Sequence, residues 1–430
     1  MKILLIGNGG RENALAWKIF NSVSFSDTGS RLFNTTGSPG INEFADPVAI
    51  NPSETEKLIE FVKNEGIGFT VVGPEVPLSL GIVNDFVKNG LKIFGPTKEA
   101  AEIESSKVFS KKLMADNNIP TAGYKDFSDK NINDAKDFLS TCKYPVVIKA
   151  DGLAAGKGVI IADSFGEAVE TIEEISLKNK FGEAGNSFII EEFLVGEEVS
   201  VFVITDGSDY KILPFSQDHK KIYDGDKGKN TGGMGAVAPL KKFMNDETTG
   251  KIRTKIIEPV LKALRESGRE FKGCLYCGLM MVNDEPLVIE FNCRFGDPET
   301  QAVLPLIKSD FLQLLLASAG NRIGKYDLEI NDNFACCVVM ASLGYPDEYE
   351  KEKEISGIEI NKKYKNSIVF HSGTKFSGEG KVISSGGRVL SVVGLSEISM
   401  EDAVKNSYER VSGIEFGNKY FRRDIGRKNY

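Results

Sequence analysis

The chain has 430 residues, 41% of them hydrophobic and 27% charged, with a formal net charge of −8. At ~100–200 residues per domain, that length predicts two to four domains. The acidic balance offers no general electrostatic case for nucleic acid, so anionic ligands need local basic sites.

In chain order, MKILLIGN opens with an apolar strand, Lys2 to Ile6, and a turn at Asn8-Gly-Gly10. Its apolar run is too short for a secretory segment, and no later stretch reaches ~18 uninterrupted apolar residues. A cytoplasmic protein with no membrane partner is expected. Arg11 to Phe20 carries Ala14, Leu15, Ala16, Trp17 and Ile19, a buried-helix pattern. Strands are predicted at Val48 to Ile50, Phe69 to Val72 and Lys92 to Phe94, with helices at Glu54 to Lys63 and Leu80 to Lys88. Strand alternating with helix implies a parallel sheet. Gly73-Pro74-Glu75 and Gly95-Pro96-Thr97 close two strands at the end where such sheets bind ligands. A helix is predicted around Ala100 to Asn117, then a small α+β unit from Pro120 to Lys180. Strand-like runs follow at Phe188 to Glu192 and Glu198 to Ile204.

Ser216 to Pro239 reads as a long polar, glycine-rich loop, functional or disordered. A helix over Lys251 to Ser267 leads to strands Cys274 to Val282 and Leu287 to Phe291, joined by a turn at Asn283-Asp-Glu-Pro286. Cys274 and Cys277 form a CxxC, but no second pair accompanies it and the chain has only two histidines. Core cysteines are the expectation there. Past about residue 330 the pattern is strands and turns, then a helix near Met400 to Ser412.

KADGLAAGKGVII (149–161) superficially suggests a P-loop. Three residues, not four, separate Gly152 from Gly156. Gly158 stands where a hydroxyl should be, and β-branched residues follow where a helix should begin. What remains is strand, glycine-rich loop, strand. Such a loop can bring backbone N–H groups to phosphates, and an ordinary hairpin with surface lysines is the alternative. A buried Lys149 needs an anion, a carboxylate or a phosphate. VIEFNCRFGDPE (288–299) places Glu290 and Asn292 two apart on a strand, on one face. Both are hard oxygen donors suited to Mg²⁺, which takes one or two protein carboxylates and fills the rest with water and phosphate. Arg294 follows on the same side. A strand end closed by an Arg–carboxylate pair is the competing reading.

Together these pieces resemble the ATP-grasp superfamily and, within it, the phosphoribosylamine–glycine ligase family of purine biosynthesis. The resemblance runs in order through IGNGGRE (6–12), VGPEVPL (72–78), LKIFGPT (91–97), SSKVF (105–109), VIKADGLAAGKGV (147–159) and IEEF (190–193). It continues through SQDHK (216–220), NTGGMGA (230–236), IEFNCRFGDPETQ (289–301), FHSGTK (370–375), GGRVL (386–390) and RRDIG (422–426).

The resemblance implies an α/β and α+β multidomain fold. A Rossmann-like parallel-sheet N-terminal domain would span 1–100. An ATP-grasp core of two subdomains would span 101–325, with a mobile flap subdomain inserted at 121–190. A small α+β C-terminal domain would span 326–430. It also implies that Lys107 and Lys149 contact ATP phosphates, with Gly156, Lys157, Gly158 and Val159 folding over them. Glu191, Glu192, Phe193 and Leu194 would meet the adenine, and Glu198 the ribose hydroxyls. Glu290 and Asn292 would hold Mg²⁺ (or Mn²⁺). Asp218, Arg294, Asp297 and the loop with Asn230, Gly232 and Gly233 would frame the acceptor site, Lys157, Arg294 and Asp297 being the catalytic choices. Arg11, Glu75, Lys375, Arg388 and Arg422 fall to the phosphoribosylamine end, with a domain-interface salt bridge the rival reading for Arg422. Gly9 and Gly10, at a helix start, would meet the sugar phosphate.

The sequence departs from the family's pattern at Asn13, where histidine is common, and at Thr36-Gly-Ser-Pro-Gly40. Gly278-Leu-Met-Met281 also lacks a second metal carboxylate. Small-molecule partners, glycine and 5-phosphoribosylamine, are implied, with a monomer or weak homodimer. The chemistry suits the residues. A carboxylate is a poor electrophile until ATP converts it to an acyl phosphate, and cations must offset the repulsion of the two anions. No enzyme nucleophile is needed. The rival classes are an NAD-dependent oxidoreductase, disfavoured because Glu12 occupies the third glycine position of the dinucleotide fingerprint, a nucleotide sensor, and another ATP-grasp ligase.

Overall fold

The computed structural model describes residues 1–26, 29–153, 158–176, 186–359 and 364–427. Lys2–Ile6, Arg31–Thr35, Asp46–Val48, Phe69–Val72 and Ile93–Phe94 form a five-stranded parallel sheet. Lys2–Ile6 lies at its centre, between Arg31–Thr35 and Phe69–Val72. The direction of strand progression reverses there, which opens a crevice at the strands' carboxyl ends. Gly7 sits in that crevice at φ +104, and a Cβ on it would lie 2.8 Å from both Glu12 and Pro74. Only glycine fits such a turn.

Arg31–Thr35 was not among the expected strands. Its inner half is polar, yet Asn34 and Thr35 are fully buried. Asn34 Nδ2 donates to the Leu5 and Gly7 carbonyls at 3.0 and 2.6 Å, and Thr35 Oγ1 accepts from Gly7 N at 2.8 Å. Their job is to tie down the first turn. The third strand begins at Asp46, two residues before the expected Val48. The helix expected over Leu80 to Lys88 runs Ile82–Lys88, after a separate helix Glu75–Leu80 that ends at Gly81, φ +96, and the helix expected over Ala100 to Asn117 is split. Lys98–Ser105 and Lys107–Asp116 break at Ser106, whose Oγ caps the second helix by accepting from Phe109 N at 3.0 Å.

A four-stranded antiparallel sheet follows, in the order Tyr124–Ser128, Ser187–Glu192, Val146–Ala150, Val159–Ala162. Helices Ile132–Thr141 and Phe165–Ser176 pack on it around a core of its own that includes Leu139, Ile148, Ile172 and Phe188. The two strands expected around Lys149 are therefore present and paired, while residues 154–157 between them lie outside the described residues. A second four-stranded sheet orders Tyr210–Ile212, Glu197–Thr205, Gly273–Val282, Glu285–Asn292. Its last hairpin turns at Asn283 and Asp284, both at positive φ, a type I′ geometry that lets the strand restart at Glu285. Cys274 and Cys277 lie three apart on a buried strand, hence on opposite faces, and all six cysteines are free thiols.

The expected loop over 216–239 is instead built from short strands. Gln217–Asp218 and Gly235–Ala238 join a six-stranded sheet with Phe334–Ser342, Arg388–Ser396, Ser367–His371 and Lys419–Tyr420. Lys221–Tyr223 and Lys227–Asn230 form a separate hairpin between them. Helix Met400–Ser412 covers the sheet. Among the described residues no helix is long and apolar enough to cross a membrane.

Candidate functional site

A cavity of about 990 Å³ lies where the parallel sheet, the two four-stranded sheets and the six-stranded sheet converge. Its size suits a nucleotide with a second small ligand. On one side Lys149, at the end of a buried strand, pairs with Glu191 Oε2 at 3.1 Å and donates to the Ile289 carbonyl at 2.9 Å. Its anion in the ligand-free protein is therefore a carboxylate. Lys111 Nζ lies 3.4 Å from Glu191 Oε1 and donates to Thr121 Oγ1 at 2.6 Å. Burial pushes Lys111 down to about 8 against the attraction of Glu191. Glu191 Oε1 itself is buried without a hydrogen bond.

Lys107 opens its helix with its backbone N–H on Asp151 Oδ1 at 2.5 Å and its Nζ on the Gly152 carbonyl at 2.8 Å. Asp151 thus caps that helix and fixes the start of the glycine-rich loop to it. Gly158, Val159, Glu192, Phe193, Leu194 and Glu198 also line the cavity. Gly156 and Lys157 lie outside the described residues.

The far wall is the strand Glu285–Asn292, and Glu290 and Asn292 both face the cavity. Opposite Glu290 is Gly278, where even a Cβ would come within 3.2 Å of the Glu290 side chain. Burial pushes the Glu290 carboxyl up, but Lys220, Lys149, Lys107 and Arg294 together hold it below its ordinary value. Among the described residues no cluster of three or more His, Cys, Asp or Glu side chains converges as a metal cage. One carboxylate and one amide suit Mg²⁺, which completes its shell with phosphate and water.

The third wall is electrostatically dense. Arg294 Nη2 lies 3.0 Å from Glu104 Oε1 and its Nε 3.3 Å from Glu75 Oε2. Glu104 Oε2 also accepts from Cys293 N at 2.7 Å. Arg11 pairs with Glu12 at 2.6 Å, lies 3.8 Å from Glu75, and donates to the Phe295 carbonyl at 3.2 Å. Burial raises the Glu75 carboxyl, but Arg294 and Arg11 outweigh it and bring it to about 2. Asp297 is held by Arg388 at 3.0 Å and by Gln301 Nε2 at 2.7 Å, while Arg388 also donates to the Gly232 carbonyl.

Asp218 is pushed well above its ordinary value, chiefly by burial, against the pull of Lys220, and its Oδ1 has no hydrogen bond. Lys220 is raised well above its ordinary value despite burial, because Glu198, Asp218, Tyr276 and Glu290 surround it. Its Nζ sits 2.7 Å from Glu198 Oε2.

Not every expected residue is drawn in. Lys375 is half exposed and paired with Glu352 at 2.8 Å, away from the cavity. The Gly9 N–H is already taken by Glu12 Oε2 at 2.7 Å. Gly10 is packed against Ser372 and Gln301, and Gly233, at φ +106, against Pro298. Arg422 is fully buried in a contact between the last residues of the chain and the 221–230 hairpin. Sequence reasoning missed Lys220, Lys111 and Glu104. Lys220 carried a signal, lying two residues past Asp218 in SQDHK.

Three family models match the chain: the N domain of phosphoribosylglycinamide synthetase over 1–104, its ATP-grasp (A) domain over 105–300 and its C domain over 335–428. The chain is 45% identical over 425 residues to phosphoribosylamine–glycine ligase of Caldanaerobacter subterraneus, covering 99% of each chain. It is 45% identical over 432 residues to the same-named protein of Chlorobaculum tepidum, covering 100% of both. The crystal structure of phosphoribosylamine–glycine ligase from Thermotoga maritima superposes with a TM-score of 0.84 at 32% identity, covering 99% of this chain and 100% of that one.

The chain belongs to the phosphoribosylglycinamide synthetase family.

A biotin carboxylase from Campylobacter jejuni shares the fold alone, with a TM-score of 0.73 at 14% identity over 100% of this chain and 97% of that one. In the frame of the synthetase family, all three matched segments meet at the cavity. Arg11 and Glu75 come from the N domain, Lys107 through Asp297 from the ATP-grasp domain, and Arg388 from the C domain.

Proposed function

We propose that this ATP-grasp ligase of purine biosynthesis joins glycine to 5-phosphoribosylamine through glycyl phosphate, releasing ADP and phosphate. The observation that carries the reading is the convergence of Lys107, Lys149, Lys220 and Arg294 on Glu290 inside one cavity. Two anions, a carboxylate and a nucleotide γ-phosphate, have to meet there, and fixed buried cations offset their repulsion without reorganising. Lys107 and Lys149 approach from the flap side, where they orient the phosphates. Arg294, braced by Glu75 and Glu104, stands on the acceptor side, where the carboxylate of glycine binds. Lys149 can exchange Glu191 for phosphate oxygens while Lys111 keeps Glu191 partly compensated.

Mg²⁺ (or Mn²⁺), held by Glu290 and Asn292, would neutralise phosphate charge. Glu198 suits the ribose hydroxyls, and Asp218, with an oxygen lacking any hydrogen bond, suits the ammonium of glycine. The amine of phosphoribosylamine then attacks the acyl carbon and phosphate leaves. The protein acts in the cytoplasm as a monomer or weak homodimer.

The test is incubation with ATP, Mg²⁺, glycine and freshly made phosphoribosylamine. ADP release that requires both co-substrates is the expected result. ADP release indifferent to either one overturns the assignment.

A further inference from the structure

The residues of the acceptor side that flank the 221–230 hairpin are Asp218 and Lys220 before it and Asn230 and Gly232 after it. By sequence they belong to the segment matched as the ATP-grasp domain. By hydrogen bonding they belong elsewhere. Asp218 pairs with Ala236, and Gly235–Ala238 pairs with Phe334–Ser342, so both arms of the hairpin leave from a sheet whose other strands lie in the last hundred or so residues. Lys221 and Asn230 face each other at the base of the hairpin, which puts Lys220 and Asn230 side by side where it enters the cavity.

The hairpin's anchors are also C-terminal. Arg422, with 0% of its side chain exposed, donates to the Lys221 carbonyl at 3.0 Å and to Asp226 Oδ1 at 2.9 Å. Asp424 receives Arg422 Nε and Nη2, each at 2.9 Å, and accepts from Gly225 N at 2.8 Å. One guanidinium therefore joins the base and the tip of the hairpin to a carboxylate that itself holds the tip. Arg423 N donates to Asp224 Oδ1 at 2.8 Å, Tyr420 Oη to the Ile222 carbonyl at 2.9 Å, and Tyr345 Oη accepts from Gly232 N at 3.0 Å. The flap sheet has no part in this arrangement. Its residue Lys149 is held by the Ile289 carbonyl and Glu191, and Glu191 by Lys149 and Lys111.

We propose that Arg422, with Asp424, is a positioning residue for the acceptor side of the cavity: it locks the 221–230 hairpin so that Asn230 and Gly232 keep their places, and it supports acceptor chemistry without supporting nucleotide binding. The assignment of an acceptor side rests on the ligase reading above, whereas the locking of the hairpin does not.

Three measurements separate them. Arg422→Met is expected to lower kcat/KM for glycine by about 10–100-fold, the effect of a small misplacement next to reacting groups. Equilibrium binding of ADP with Mg²⁺ is expected to stay within about twofold of the parent protein. Amide hydrogen exchange is expected to speed up across 221–232 and to stay unchanged across 146–150 and 159–162. Arg422→Lys, which keeps the charge but not the fork, is expected to recover part of the loss.

Should Arg422→Met fail to fold, Asp226→Ala, which removes the acceptor of Arg422 Nη2, and Tyr345→Phe, which removes the acceptor of Gly232 N, carry the same test with smaller expected losses. A parallel fall in ADP affinity overturns the proposal by showing a general structural role. So does a folded variant with unchanged exchange over 221–232, or with faster exchange there and unchanged glycine kinetics. If the parent protein releases ADP without needing glycine, the failure belongs to the ligase reading, and the exchange result still decides whether the hairpin is locked by Arg422.

Discussion

At the nucleotide end of the cavity, Lys149 and Glu191 sit on paired neighbouring strands of one small sheet with its own core, and Lys111 reaches them from the adjacent helix. At the acceptor end, short-range pairs such as Arg11 with Glu12 are joined by contacts from much farther along the chain. Arg11 reaches Phe295 across 284 positions, Glu104 holds Cys293 across 189, and Asn13 holds His371 across 358. The first arrangement pairs its charges within one small sheet and ties them to the neighbouring sheet and helix through the Ile289 carbonyl and Lys111. The second fixes its charges only when three segments are docked. That is how a site can be assembled to demand a particular acceptor while the nucleotide end stays generic.

The sharpest way to break this comparison is at the strand both ends share. Glu290→Gln removes the one carboxylate on which four cations converge. Turnover is expected to fall by about 10²–10³-fold, the scale on which loss of one preorganised electrostatic partner is felt. Far-UV circular dichroism should be unchanged. Near-normal ADP release by this variant would remove Glu290 from the metal-holding role.

Next in size is the flap pair. Lys149→Met leaves Glu191 buried with only Lys111 at 3.4 Å, so urea unfolding should show a loss of about 3 kcal/mol together with weaker ATP binding. Lys149→Met combined with Glu191→Gln should restore much of the stability but not the affinity. Lys111, already lowered to about 8 by burial, can then go neutral at little cost. A double variant no more stable than the single one would show that Lys149 does not compensate the buried Glu191 charge.

The same contrast governs how much of the molecule was legible in the sequence. Alternating strands and helices announced the parallel sheet, and a period of two put Glu290 and Asn292 on one face. Both signals are local. Arg31–Thr35 escaped because two of its four buried positions are Asn34 and Thr35, whose polarity answers to Gly7, a residue far away in sequence. Stretch 216–239 escaped for the same reason. Its glycines and charges read as loop, whereas its order comes from Phe334–Ser342 and Arg422. Glu104 and Lys111 looked like ordinary helix charges, and only the partners brought in by the fold give them a task. Lys375 misled in the other direction: its motif was right, but its side chain points to Glu352 at the surface.

Glu75 tests the acceptor end through pH. Its carboxyl is held at about 2 against an ordinary 4.5, because Arg294 and Arg11 outweigh the burial that would raise it. A depressed carboxyl stabilises fully above the unfolded value, and that stabilisation is lost as pH falls from 4.5 toward 2. Glu75→Gln should therefore cost about 2 kcal/mol near neutrality, allowing for solvent screening of a partly exposed side chain. The gap from the parent protein should hold steady from about pH 6 to 8 and narrow progressively below 4.5. A gap that instead widened in acid would mean that Glu75 is not the carboxylate between the two arginines.

The smallest expected effect belongs to Asn13, where the N-domain and C-domain segments touch. Its Oδ1 accepts from His371 N at 2.6 Å, and its Nδ2 donates to the Gly40 carbonyl at 3.0 Å. A Cβ on Gly40 would lie 2.4 Å from Asn13 Oδ1 and 2.5 Å from His371, so the loop can be this close only without a side chain. Asn13→Ala strands one buried donor and one buried acceptor, at about 1–2 kcal/mol in total. Asn13→Asp can still accept from His371 N but sets a carboxylate against the Gly40 carbonyl, so only the Gly40 side of the joint opens. If the joint holds the acceptor end together, both variants should raise KM for phosphoribosylamine and leave ADP affinity alone. Asn13→Asp should then retain the tighter C-terminal sheet by hydrogen exchange at His371. Equal exchange at His371 in the two variants would mean that the Asn13–His371 bond contributes nothing, and that the C-terminal segment is held at this point by packing alone.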